Sequence, residues 1–119
     1  ITMAFGVNDV DNHHLTETQF KTYYGDSLDW LHAKWSLADI YISRAGWSTT
    51  PESTAIMNDM DNNWIPFLIS SRSYCHLGPD ERICLGGGDN YASRTTDGTH
   101  PNAAGYDAWA QAWKTTLGY

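Results

Sequence analysis

Asp97 and His100 stand three residues apart in Asp97-Gly98-Thr99-His100, close enough for the carboxylate to hold one imidazole nitrogen while the other faces a cleft. That pairing is the general-base half of nucleophilic hydrolysis. The histidine takes a proton from an attacking hydroxyl and returns it to the leaving group, while the acid keeps the ring oriented. Asp-x-x-His alone is a common string, and a loop aspartate capping a turn beside a surface histidine has the same letters. The second candidate is Asn8, in Gly6-Val7-Asn8-Asp9. A side-chain amide held at the end of a strand can donate to the oxyanion of a tetrahedral intermediate, a contribution of roughly 3–4 kcal/mol. The plain alternative is an ordinary turn after a strand, and Asp9 fits a role in fixing that loop.

Other suggestive residues carry less chemistry. Gly25-Asp26-Ser27-Leu28 offers a serine, but it falls inside a stretch of helical periodicity, with Ser27 at the flank of the apolar stripe. A helix-interior serine lacks the sharp turn and free amides of a nucleophile. His13 and His14 are adjacent in a polar loop without helical i, i+4 spacing, so solvent exposure is the simpler reading. A metal-dependent hydrolase would have to gather His13, His14, His76 and His100, and the spacing suggests no such arrangement. No cofactor is expected. Gly86-Gly87-Gly88-Asp89-Asn90 lacks the Lys-Ser/Thr of a phosphate loop and reads as an approach to a site. Trp47 and Tyr91 suit a sugar platform, although packing accounts for aromatic residues equally well.

These residues must be positioned by regular elements. Ile1 to Phe5 reads as a buried strand that turns at Gly6. Thr16-Glu17-Thr18-Gln19 has capping-box spacing, and Phe20, Tyr24, Leu28, Leu31 and Trp35 recur at helical intervals. Residues 38–43 form a second strand, so strand, helix and strand make the crossover of a parallel sheet. Thr50-Pro51 starts a second helix, whose stripe of Ile56, Met60 and Trp64 is expected to kink or end at Pro66. Residues 71–96 read as irregular, with one short strand near residues 74–77. A terminal helix follows Asn102, with Tyr106, Trp109 or Ala110, Trp113 and Leu117 on one stripe and Gly118 past its end.

Composition narrows the partners. The chain of 119 residues is 41% hydrophobic and 13% aromatic, enough to bury a core in one domain, or part of one. A formal charge of −7, with seven Lys and Arg, disfavours phosphate backbones, so nucleic acid is not an expected partner. No run approaches membrane-spanning length, and the opening apolar segment is too short for a signal peptide. Cys75 and Cys84 flank a Gly-Pro turn at a spacing that allows either a disulfide or two half-buried thiols. A bridge would favour an extracellular, secreted or virion-associated setting.

Asp97-Gly98-Thr99-His100-Pro101, followed by Asn102-Ala103-Ala104-Gly105-Tyr106 and a tryptophan-rich helix, closely resembles the last conserved block of the SGNH/GDSL hydrolases. Gly6-Val7-Asn8-Asp9 resembles the block that supplies that family's asparagine. The resemblance spans nearly the whole chain. It implies an α/β fold, a three-layer α/β/α sandwich with a mostly parallel, flavodoxin-like sheet, of which residues 1–119 are the C-terminal portion. It further implies serine-esterase chemistry with His100 as base, Asp97 as its acid and Asn8 in the oxyanion hole, on an ester substrate such as acetylated glycan. The family's nucleophile block precedes its asparagine block, so Gly25-Asp26-Ser27-Leu28 stands in the wrong place. The serine is therefore expected from the N-terminal half of the same domain or from a companion chain. The rival reading is a non-catalytic carbohydrate-binding or assembly module built on this fold.

Overall fold

The computed structural model describes residues 1–6, 15–44, 51–84, 91–97 and 100–119. Along the chain run β1 (Thr2–Met3), α1 (Glu17–Lys34), β2 (Ile40–Arg44) and α2 (Pro51–Asp59), then a π-helical turn (Met60–Trp64) that leads into α3 (Ile65–Ser70). They are followed by β3 (Cys75–Asp80), the single turns α4 (Glu81–Cys84) and α5 (Tyr91–Arg94), and α6 (Ala103–Thr116). The strands form one parallel sheet in the order β1-β2-β3. Thr2 pairs with Tyr41, and Ile40 with Cys75. The chain is thus α/β, with helical crossovers between parallel strands.

α1 begins as its letters require. Thr16 accepts from the Gln19 N–H while the Gln19 side chain receives the Thr16 N–H at 3.0 Å, a complete capping box. Phe20 and Leu28 are fully buried, with Tyr24 and Leu31 packed beside them. Trp35 departs from the expected stripe. The helix stops at Lys34, so Trp35 becomes its exposed C-cap. The core that α1 covers contains Ile40 and Ile42 of β2, Met57, Met60, Trp64, Ile65, Leu68 and Cys75. Each fully buried large apolar side chain contributes roughly 1.5–3 kcal/mol.

Three elements differ from expectation, each for a local reason. β1 pairs over two residues, because Phe5 leaves the sheet to stack on Tyr24, with ring centroids 4.0 Å apart. Gly6 then takes φ +109°, and a Cβ there would lie 2.7 Å from the Met60 sulfur. The helical run from Pro51 continues through Pro66 to Ser70. A helix-interior proline has no N–H to give and crowds the carbonyl four residues back. Here the turn just ahead of it is widened, with the Ile65 N–H bonded to the Met60 carbonyl five residues back. β3 extends through Gly78-Pro79 to Asp80, further than the short strand expected. Pro79 is tolerated at the end of an outer strand, and Gly78 leaves the space that Trp113 of α6 fills.

Polar ties complete the packing. Arg72 donates to both carboxylate oxygens of Asp29 at 2.7 and 2.9 Å, and the Tyr74 hydroxyl donates to the same carboxylate. Asp29 is held below the usual carboxylate range by the Arg72 bonds, while burial and Asp29 push Tyr74 up to about 12. Cys75 carries a free, buried thiol, so it forms no bridge with Cys84. Among the described residues no helix is long and apolar enough to cross a membrane.

Candidate active site

His100 and Asp97 are brought together by a pinned reverse turn between α5 and α6. Thr95 and Pro101 form an antiparallel bridge, and the Thr96 N–H donates to the His100 carbonyl at 2.8 Å. Inside that turn one Asp97 oxygen accepts the His100 backbone N–H, and the other lies 2.7 Å from His100 Nδ1. With Nδ1–H donating to the carboxylate, Nε2 carries the lone pair, which is the tautomer a general base needs. The His100 and Asp97 side chains are 75% and 55% exposed. The turn passes directly into α6, whose N-cap is Asn102.

A second polar group, not foreseen from the sequence, occupies the carboxyl ends of β2 and β3, where parallel sheets build their sites. The Ser43 hydroxyl donates to Glu81 at 2.8 Å. Burial pushes the Glu81 carboxyl up to about 7, with Asp61 and Asp80 adding to the rise and the Ser43 bond opposing it. Arg82 reaches Asp61 at 3.5 Å and Asp80 at 3.6 Å and donates to Asn58, and Arg44 meets Asp80 at 3.3 Å. Ser43 is fully buried, so its hydroxyl serves the fold and cannot meet a substrate. The sequence signal was the run Asp80-Glu81-Arg82 at the end of a strand.

The letters Gly25-Asp26-Ser27-Leu28 are explained by packing. A Cβ at Gly25 would stand 2.7 Å from the Arg72 guanidinium, and Leu28 is core. The Ser27 hydroxyl donates back to the Tyr23 carbonyl at 2.8 Å, a helix-internal bond.

Asn8, the third expected catalytic residue, lies outside the described residues, as do Asp9, His13, His14, Trp47 and residues 86–90, and the Tyr91 side chain is likewise not described. His76 pairs with Asp39 at 3.1 Å beside Tyr41. Among the described residues no three His, Cys, Asp or Glu side chains gather as a metal site. Comparisons of the chain with protein-family models, curated proteins and solved structures find no match in any of the three.

Proposed function

We propose that this chain is the C-terminal part of an SGNH/GDSL-type serine ester hydrolase. The observation that carries the reading is the His100–Asp97 pair, with Nδ1 held and Nε2 left for proton transfer. A serine from the N-terminal half of the domain, or from a companion chain, attacks the ester carbonyl. His100 Nε2 takes the serine proton and delivers it to the departing alcohol, Asp97 stabilises the imidazolium, and Asn8 donates to the oxyanion. His100 then takes a proton from water, the resulting hydroxide attacks the acyl-serine, and the serine recovers its proton from His100 as the acid leaves. O-acetyl groups on carbohydrate are the substrate class the resemblance favours.

The architecture supports this reading. β3 packs against two helices, with Cys75 in the core that includes Ile65 and Leu68 at α3, and Gly78 against Trp113 of α6. Helices packed on the sheet in this way are compatible with a three-layer α/β/α sandwich. On the other side of the sheet, β1 pairs with β2 alone among the described strands. α1 turns Gly25 and Asp29 toward Arg72, and at 100° per residue its opposite flank carries Tyr23, Ser27 and Trp30, with Tyr23 56% and Trp30 58% exposed. A strand edge unpaired among the described residues, with an exposed aromatic flank on α1, suits a further strand and helix that would complete the domain.

The test is labelling of the intact assembly by a serine-directed fluorophosphonate. Labelling of an upstream segment or companion chain, weakened by His100→Ala, is the expected result, and an unlabelled assembly overturns the reading. The exposure of Asp97 favours one alternative, since a triad acid is ordinarily buried. That alternative is a non-catalytic carbohydrate-binding or assembly module. It requires glycan binding without turnover, unchanged by His100→Ala.

A further inference from the structure

We infer that Asn102 is the positioning residue of the His100–Asp97 pair, a role that rests on the hydrolase reading for its catalytic meaning. Both side chains of the pair are mostly exposed, so the backbone beneath them is a main determinant of how they are presented. Asn102 holds that backbone at both ends. Its Nδ2 donates to the carbonyls of Ser93 at 3.1 Å and Thr95 at 3.2 Å, and its backbone N–H donates to the Arg94 carbonyl at 2.9 Å. Its Oδ1 accepts the Gly105 N–H at 3.1 Å, and its carbonyl accepts the Tyr106 N–H at 2.9 Å.

The two N–H groups of one amide thus fasten the segment entering the turn, while its oxygen caps the helix leaving it. An aspartate or serine could cap α6 as well. Neither has the two amide N–H donors that reach the Ser93 and Thr95 carbonyls. The choice of asparagine is therefore explained by the strap rather than by the cap. Gly105 belongs to the same device. A Cβ there would stand 2.1 Å from the Arg94 carbonyl oxygen, so the close approach of α6 to residues 93–95 needs glycine at this position.

Asn102→Asp and Asn102→Ser separate the two functions, because each keeps a capping oxygen and removes the strap. The measurement is made on the full chain by nitrogen-15 NMR of the His100 ring, with amide exchange at Tyr106 reporting α6. The expected result is loss of the single Nδ1–H tautomer and of its low-field proton in both variants, while exchange at Tyr106 changes less than threefold. An unchanged His100 signal overturns the proposal. So does a signal lost only in step with protection at Tyr106, since Asn102 would then be a helix cap and nothing more. In the assembled hydrolase Asn102→Ser is expected to lower kcat about a hundredfold with KM little changed. The NMR result needs no nucleophile or substrate, so failure of the hydrolase reading and failure of the strap are read separately.

Discussion

Asp97 grips His100 at two points, one carboxylate oxygen 2.8 Å from the backbone nitrogen and the other 2.7 Å from Nδ1. Asp97→Asn can keep the first contact but turns an amide NH2 toward the ring. Nδ1 must then accept, the proton moves to Nε2, and the base is lost. On the hydrolase reading proposed above, kcat of the assembly on 4-nitrophenyl acetate is expected to fall on the order of 10⁴-fold. Because the pair is exposed, thermal stability should change by less than about 1 kcal/mol. A variant of near-native activity would remove Asp97 from the mechanism.

Glu81 should make the fold less stable as pH rises. Its carboxyl titrates at about 7 in the native chain against 4.5 for the free group, first because it is buried. Between those values the native state keeps a proton that the unfolded chain has released, so stability falls as pH climbs and levels off above 7. The loss is on the order of a few kcal/mol. Glu81→Gln keeps an acceptor for Ser43 and cannot ionise. Urea unfolding should find it more stable than the parent at pH 8 by about 1–3 kcal/mol and by much less at pH 4.5; an equal difference at both pH values would refute the assignment.

Gly25 and Gly105 should differ in their response to alanine. At Gly25 the new methyl meets the guanidinium of Arg72, which yields only by loosening its bonds to Asp29, while the helix gains up to about 1 kcal/mol of propensity, so the net change is near zero. At Gly105 it meets the Arg94 carbonyl, which is backbone, and a loss of about 1–3 kcal/mol is expected. Chemical denaturation of the two variants side by side checks the contrast.

Cys75 should resist thiol reagents. Burial pushes its thiol up to about 11, so at pH 8 about one molecule in a thousand carries the thiolate that reacts. Mass spectrometry after treatment with a disulfide reagent should find Cys75 labelled at least a hundredfold more slowly in the native chain than in urea. Rapid native labelling would show that the thiol is accessible.

Local signals survived translation into structure best. The Thr16–Gln19 box, the Phe20 and Leu28 stripe, the parallel crossover and Gly118 at φ +80° just past α6 are all present. What the sequence could not reveal depended on distant partners. β3 passes through Gly78-Pro79 because Trp113, 35 residues on, needs the space above Gly78. Tyr106 reads as part of the inward stripe of α6 but is exposed, since the helix turns Gly105 toward Arg94 instead. The continuation past Pro66 depended on a π turn that no periodicity announces. In the candidate site the Asp97–His100 pairing was legible because both residues lie in one turn. The Ser43–Glu81 bond joins residues 38 apart, and the charged run at Glu81 does not announce Ser43 as its partner.

The bonds that fix His100 link residues no more than nine positions apart, whereas Ile1 must find Asp39, 38 residues on, before β1 joins the sheet. Contacts of such short reach form early, since little loop entropy is lost in closing them, and parallel pairing comes late. The turn that holds Asp97 and His100 is therefore expected to take its native form before the sheet around it is complete. On the proposed hydrolase reading, activity in a refolding experiment should lag behind the His100 signal, its onset set by the slowest long-range pairing.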